Sequence, residues 1–166
     1  MKRVAGFAAA LFLWVLLPPL NAGGKSVEPI TTRLLGNWRG EGKVMGMESR
    51  LQMKWERVLE GKFARLTFRN EMRGKDGARL FEGHAYYQAQ PDGTYRGQWF
   101  DSGGEAHPIN GKVEGDALIA EWGTKETKLG RTIYRLLAAD AVEVVDSVLA
   151  KDGQWREFGR AKFRRE

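Results

Sequence analysis

The chain of 166 residues contains no cysteine. That absence removes disulfides, thiolate nucleophiles, Cys-ligated metals and iron–sulfur clusters together. Histidine is nearly as scarce, with two residues, His84 and His107, far apart in sequence. Two distant imidazoles without a thiolate do not make a zinc site. The sequence also lacks a GxxxxGK[ST] phosphate loop, an HExxH helix, a GxSxG nucleophile turn, heptads and low-complexity tracts. No long amphipathic helical pattern occurs. The chemistry must come from what is abundant: 21 glycines, six tryptophans and alternating charge.

One long apolar run is present, at the start. Residues 1–24 read MKRVAGFAAALFLWVLLPPLNAGG, with Lys2 and Arg3 ahead of Val4 to Leu17 and small residues after. That is the three-part pattern of a secretory leader, cleaved after Ala22 or Gly24. An uncleaved N-terminal anchor is the competing reading, but the run is too short to span a bilayer comfortably, which takes about 20 apolar residues. No cysteine follows it, which excludes a lipoprotein anchor. The expected location is therefore the periplasm or the exterior. Loss of Lys2 and Arg3 lowers the formal charge from +6 to +4, too mild to argue for nucleic acid. The expected organisation is a leader over 1–24, a lead-in segment over 25–35 with at most a turn of helix, and one domain over 36–166.

Beyond the leader the dominant signal has period two, as half-buried strands require. Trp38, Gly40, Gly42 and Val44 alternate with polar or charged residues, as do Leu51, Met53 and Trp55, and Ala64, Leu66, Phe68 and Met72. The same holds for Phe81, Gly83, Ala85 and Tyr87, for Tyr95, Gly97 and Trp99, and for Ile109, Gly111 and Val113. Leu118, Ala120 and Trp122 follow. At the C-terminus Trp155, Gly159, Ala161 and Phe163 oppose Arg156, Arg160, Lys162 and Arg164. Between 126 and 150 the inward face is unreadable, because Val142-Glu143-Val144-Val145 is apolar on both sides. Tight-turn residues separate the runs: Lys75-Asp76-Gly77, Pro91-Asp92-Gly93, Glu114-Gly115-Asp116 and Lys151-Asp152-Gly153.

About ten short strands at even spacing predict an all-β fold. The interior mixes bulky aromatics with Gly and Ala, which a flat sandwich would replace with Val, Ile and Leu. A small closed barrel needs large and small residues in alternation, and glycine lets strands coil sharply. The expectation is a single antiparallel up-and-down β-barrel. In the stretch LLGNWRGEG, Trp38 would plug one end, with Gly40 and Gly42 bending the first strand around it.

Gly36-Asn37-Trp38 on a first strand resembles the G-x-W motif of the calycin superfamily, which includes lipocalins, fatty-acid-binding proteins and ten-stranded nitrobindin-like barrels. The fuller stretch is most similar to nitrobindin-like proteins and to small exported bacterial barrels. The resemblance covers about 34–165. It implies a basic residue on the last strand packed over the motif tryptophan, a part open to Arg164 or Arg165. It also raises haem, which nitrobindin-like proteins hold through a C-terminal histidine. Residues 108–166 contain no histidine, so neither haem nor any other cofactor is expected.

Strand parity turns a few polar residues inward: Asp101 after Trp99, His107 in step with Ile109, Asn70 between Phe68 and Met72, Thr132 with Tyr134, and Glu157 between Trp155 and Gly159. A carboxylate inside an apolar barrel is costly unless paired. Asp101 precedes Ser102-Gly103-Gly104 and suits a turn cap; Glu157 suits a structural pair with an arginine. His84 falls outside, as does the basic ladder Arg156, Arg160, Lys162 and Arg164, which guards against edge pairing and offers weak contact to anionic surfaces.

The expected function is binding of one small apolar ligand in the lumen. Trp38, Trp55, Trp99, Trp122 and Tyr134 would line the pocket or its floor, with Asp101, His107 and Glu157 as orienting polar groups. Two alternatives stand beside it. A closed-core structural or interaction module would have its interior filled by the same aromatics. A small hydrolase or isomerase would use Asp101, His107 and Glu157. No metal site is expected, and an enzyme less than a binder.

Overall fold

The computed structural model describes residues 29–166 apart from residue 76; the leader over 1–24 lies outside the described residues. A five-residue helix, α1 (Ile30–Leu34), leads into ten strands: β1 (Gly36–Val44), β2 (Met47–Val58), β3 (Phe63–Gly74), β4 (Gly77–Ala89), β5 (Tyr95–Asp101), β6 (Ala106–Glu114), β7 (Ala117–Gly123), β8 (Leu129–Ala138), β9 (Ala141–Leu149) and β10 (Trp155–Arg165). Each strand pairs antiparallel with the next, and β1 pairs with β10, so the sheet closes as an up-and-down barrel. The unreadable region 126–150 resolves into β8 and β9, with Val142 and Val144 buried inside.

The seam between β1 and β10 explains the glycines around Trp38. A Cβ on Gly40 would lie 2.6 Å from Phe163 Cδ1, and one on Gly42 would strike the Arg160 carbonyl and the Ala161 backbone. The two strands approach too closely for side chains on both. The glycines thus serve contact with β10 and not only the bend expected of β1.

α1 closes one end of the barrel. Ile30 and Leu34 are buried in the core with Trp38, which is fully buried. The Trp38 indole N–H donates to the Leu34 carbonyl at 2.7 Å. On its other side the Arg165 guanidinium lies 4.1 Å over the ring. That guanidinium also donates to the carbonyls of Leu35, Arg33 and Ala139. Arg165, not Arg164, takes the basic position; Arg164 reaches outward to Asp140.

One strand departs from its expected parity. The β10–β9 register slips between Glu157 and Gly159. A bulge adds one residue and reverses every side chain beyond it. Phe158 consequently packs against the core, and Glu157 turns outward to pair with Arg160 at 2.7 Å. Trp155 is likewise outside, with the Arg131 guanidinium 4.2 Å over its ring. The inward placements expected of Glu157 and Trp155 are therefore corrected.

Trp38→Ala removes the largest side chain of the plug and leaves a cavity, which should cost about 3–5 kcal/mol in denaturant unfolding. Arg165→Ala should cost less, about 1–3 kcal/mol, because it removes the cation over the ring and the guanidinium's hydrogen bonds to the Leu35, Arg33 and Ala139 carbonyls but leaves no buried cavity. Equal effects from both substitutions would contradict this division of work.

Candidate functional site

The barrel has a closed end and an open end. The turns β2–β3, β4–β5, β6–β7 and β8–β9 lie at the α1 end; β1–β2, β3–β4, β5–β6, β7–β8 and β9–β10 lie at the other. A cavity of about 320 Å³ occupies the second half of the lumen, reached past Met45, Gly103, Glu105 and Lys128 on those turns. Its floor is made by Met53, Tyr87, Ile109, Tyr134 and Val144, and its walls by Phe68, Phe81, Trp99, Trp122 and Phe158.

Glycines seat the aromatic walls. A Cβ on Gly83 would lie 2.2 Å from the Trp99 ring, and one on Gly130 2.0 Å from the Trp122 ring. Each indole lies flat over a neighbouring glycine and leaves the lumen open beside it. Phe81 stacks on Trp99 with centroids 6.3 Å apart, and Phe68 meets both rings at similar spacing.

Of the eight expected site residues, Trp99, Asp101, His107, Trp122 and Tyr134 line the cavity. Trp38 and Trp55 do not. Trp55 is buried below the floor, packed on Tyr87 at 5.2 Å and edge-on to Tyr134 at 5.3 Å. Trp38 belongs to the plug. Glu157 is outside the wall.

Asp101 is a turn cap. Its Oδ1 accepts from the backbone of Gly103 at 2.8 Å and Glu105 at 3.2 Å, and its Oδ2 accepts from the Trp99 indole at 2.9 Å. It thereby fixes both the β5–β6 turn and a wall of the lumen. His107 packs against Trp122 with centroids 5.4 Å apart, and its Nε2 lies 3.9 Å from Glu105. It is the lumen's imidazole but stands on β6, not on the C-terminal strands where the resemblance puts a haem ligand; His84 is on the outer face.

One carboxylate inside the lumen was not among the expected site residues. Asp146, on β9, lines the cavity. Its Oδ1 accepts from the Thr132 hydroxyl at 2.6 Å, and that hydroxyl accepts from the Trp122 indole at 3.2 Å. Gly159 makes room for it, since a Cβ there would sit 3.2 Å from Oδ2. Burial inside the barrel pushes the Asp146 carboxyl up to about 6, opposed by the Thr132 hydrogen bond and aided by the Glu157 carboxylate behind the wall. The side chain keeps partial accessibility only through the lumen. Two signals pointed to it: Asp146 shares parity with Val142 and Val144, and its partner strand carries glycine opposite.

Asn70, on β3, is 2% exposed, lines the same cavity, and its Oδ1 has no hydrogen-bond partner among the described residues. Burial raises the Tyr87 and Tyr134 hydroxyls well above the usual phenol range.

The outer face is less suited to a ligand. A hollow of about 410 Å³ on β1–β4 lies among Arg39, Lys54, Arg69 and Glu166, long side chains whose positions solvent does not fix. In the basic ladder, Arg156, Arg160 and Arg164 are each paired with a carboxylate. Such exposed pairs leave little free positive charge for an anionic surface.

No family model matches the sequence, and no curated protein matches it. Among solved structures the chain is similar to Rv2717c from M. tuberculosis, at 20% identity and a TM-score of 0.56, over 84% of this chain and 99% of that one. It is also similar to a de novo designed fluorescence-activating β-barrel, at 18% identity and a TM-score of 0.47, over 84% of this chain and 100% of the design. These likenesses concern the fold alone.

The Asp146 carboxyl sets a pH dependence. Its folded value of about 6 exceeds the ordinary 3.8. The folded chain therefore holds a proton that the unfolded chain releases, and the stability from this group is full below pH 3.8 and lost as pH rises through 6. Asp146→Asn should melt close to the parent at about pH 4 and above it at about pH 7.5. A constant difference across that range, by calorimetry, would show that Asp146 is not desolvated.

Proposed function

We propose that this chain is an exported calycin-type barrel that binds one small, largely apolar molecule in its lumen. The observation that carries the reading is the half-filled interior: a plug of Trp38, Leu34 and Trp55 at one end, and a cavity of about 320 Å³ at the other. Small-ligand pockets begin at about 300 Å³ and are lined by apolar side chains with a few placed polar groups. This lumen has that composition, which favours it over the closed-core module. Export, to the periplasm or the exterior, is supported by the leader pattern over 1–24. The calycin assignment is supported by Gly36-Asn37-Trp38 and by the Arg165 guanidinium over Trp38.

Asp101, His107 and Glu157 do not converge on one point. Asp101 is committed to a turn, and Glu157 lies on the other side of the wall, held below the usual carboxylate range by Arg160. The hydrolase or isomerase built on those three residues loses its basis.

Trp99 and Trp122 line the cavity, so their emission should report its occupant. Titration with neutral, anionic and cationic apolar molecules should give a saturable fluorescence change with at least one, reduced in Trp99→Phe and Trp122→Phe. Silence across the panel, with the fold intact by circular dichroism, would overturn the reading.

A further inference from the structure

The chain as a whole is basic, yet its lumen is not. The charged groups lining the cavity are three carboxylates, Asp101, Glu105 and Asp146, and one ammonium, Lys128. Lys128 stands at the mouth, its Nζ 5.8 Å from the Trp122 ring centroid. Low-dielectric walls focus the field of such a set along the lumen and raise the local concentration of the opposite charge.

Asp146 is the group with an unmet need. Its Oδ1 is satisfied by Thr132. Its Oδ2 takes no hydrogen bond among the described residues, and no Lys or Arg among them pairs with the carboxylate. Buried carboxylates are otherwise paired or bound to a cation. Asn70 presents a second uncommitted acceptor, its Oδ1, from β3. A ligand that only accepts hydrogen bonds would satisfy neither, and an anion would meet Asp146 with like charge. The remaining walls are aromatic: Phe68, Phe81, Trp99 and Trp122. Aromatic faces attract cations, more so when water is excluded.

Resting on the reading of a ligand-binding lumen, we propose that the occupant is an organic cation, a protonated amine on an aromatic or aliphatic body, with Asp146 as its counter-ion. The ammonium supplies donors to the Asp146 carboxylate and the Asn70 carbonyl, and the aromatic walls hold the rest of the molecule. Lys128, between β7 and β8, and His107, at the start of β6, lie at the mouth, and neither pairs with Asp146.

The test is calorimetric titration of the purified chain with matched sets sharing one body: 2-phenylethylamine, 2-phenylethanol and 3-phenylpropionate, then decylamine, decanol and decanoate. The amine of each set should bind about tenfold or more tighter than its alcohol, as charge-assisted hydrogen bonds warrant, and the carboxylate weakest. Asp146→Asn should reduce amine affinity about tenfold and leave alcohol affinity within about twofold. Carboxylates binding tighter than amines, or amine affinity unchanged in D146N, would overturn the organic-cation proposal and leave the ligand-binding barrel standing. No saturable binding by any member would overturn both. The ranking on the unaltered chain decides the matter if D146N does not fold.

Discussion

The seam between β1 and β10 is the constraint on which the rest of the molecule depends. Every other strand pair joins sequence neighbours through a tight turn or a short loop. Only β1 and β10 come from opposite ends of the domain. Their seven register pairs, from Trp38↔Arg165 to Val44↔Gly159, turn an open sheet with two edges into a wall with none. An open edge would expose unpaired backbone groups to other chains. The seam requires glycine at 40 and 42, because two full strands do not fit there. It is pinned at its end by Trp38, held from one side by the Leu34 carbonyl and from the other by Arg165.

From closure follows the lumen, and from the size pairing within it follows the hollow. A ten-strand barrel has more interior than aliphatic side chains alone would fill at this length. This chain fills one half with Trp55, Tyr87, Tyr134 and the Trp38 plug. In the other half it lays Trp99 over Gly83 and Trp122 over Gly130, flat against the wall. The same residue types that would pack a core instead line a space, because each indole lies over a position with no side chain. Asp101 completes this arrangement by tying the Trp99 N–H to the β5–β6 turn.

The sequence made the fold legible, since period two survives along nearly every strand and turn chemistry marks the breaks between them. It also turned Trp99, Asp101, His107, Trp122 and Tyr134 toward the lumen, where they line the cavity, although β8 shifts register between Leu136 and Ala138. It failed where parity fails. On β10 the bulge between Glu157 and Gly159 adds a residue, so reading backward from Phe163 places Glu157 and Trp155 inside when both are outside. Phe158, an aromatic on the polar parity beside a glycine, was the trace of that bulge. On β9 the run Val142 to Val145 is apolar on both faces, which concealed that Asp146 points inward. Trp38 and Trp55 read correctly as interior, but alternation reports which side of the wall a residue faces and not its depth along the axis. Depth separates plug from pocket, and it became visible only with the register of all ten strands.

The lumen exists only if the wall is continuous. If β1 and β10 part readily, the cavity is a cleft, its low dielectric is lost, and Asp146 is an ordinary solvated carboxylate. Amide hydrogen exchange tests this directly. The account predicts that the amides of Trp38–Val44 and Gly159–Arg165 exchange as slowly as those in the middle of β3 and β4, through global unfolding alone. Fast exchange confined to those two segments, with β3 and β4 still protected, would mean that the seam opens on its own and would contradict it.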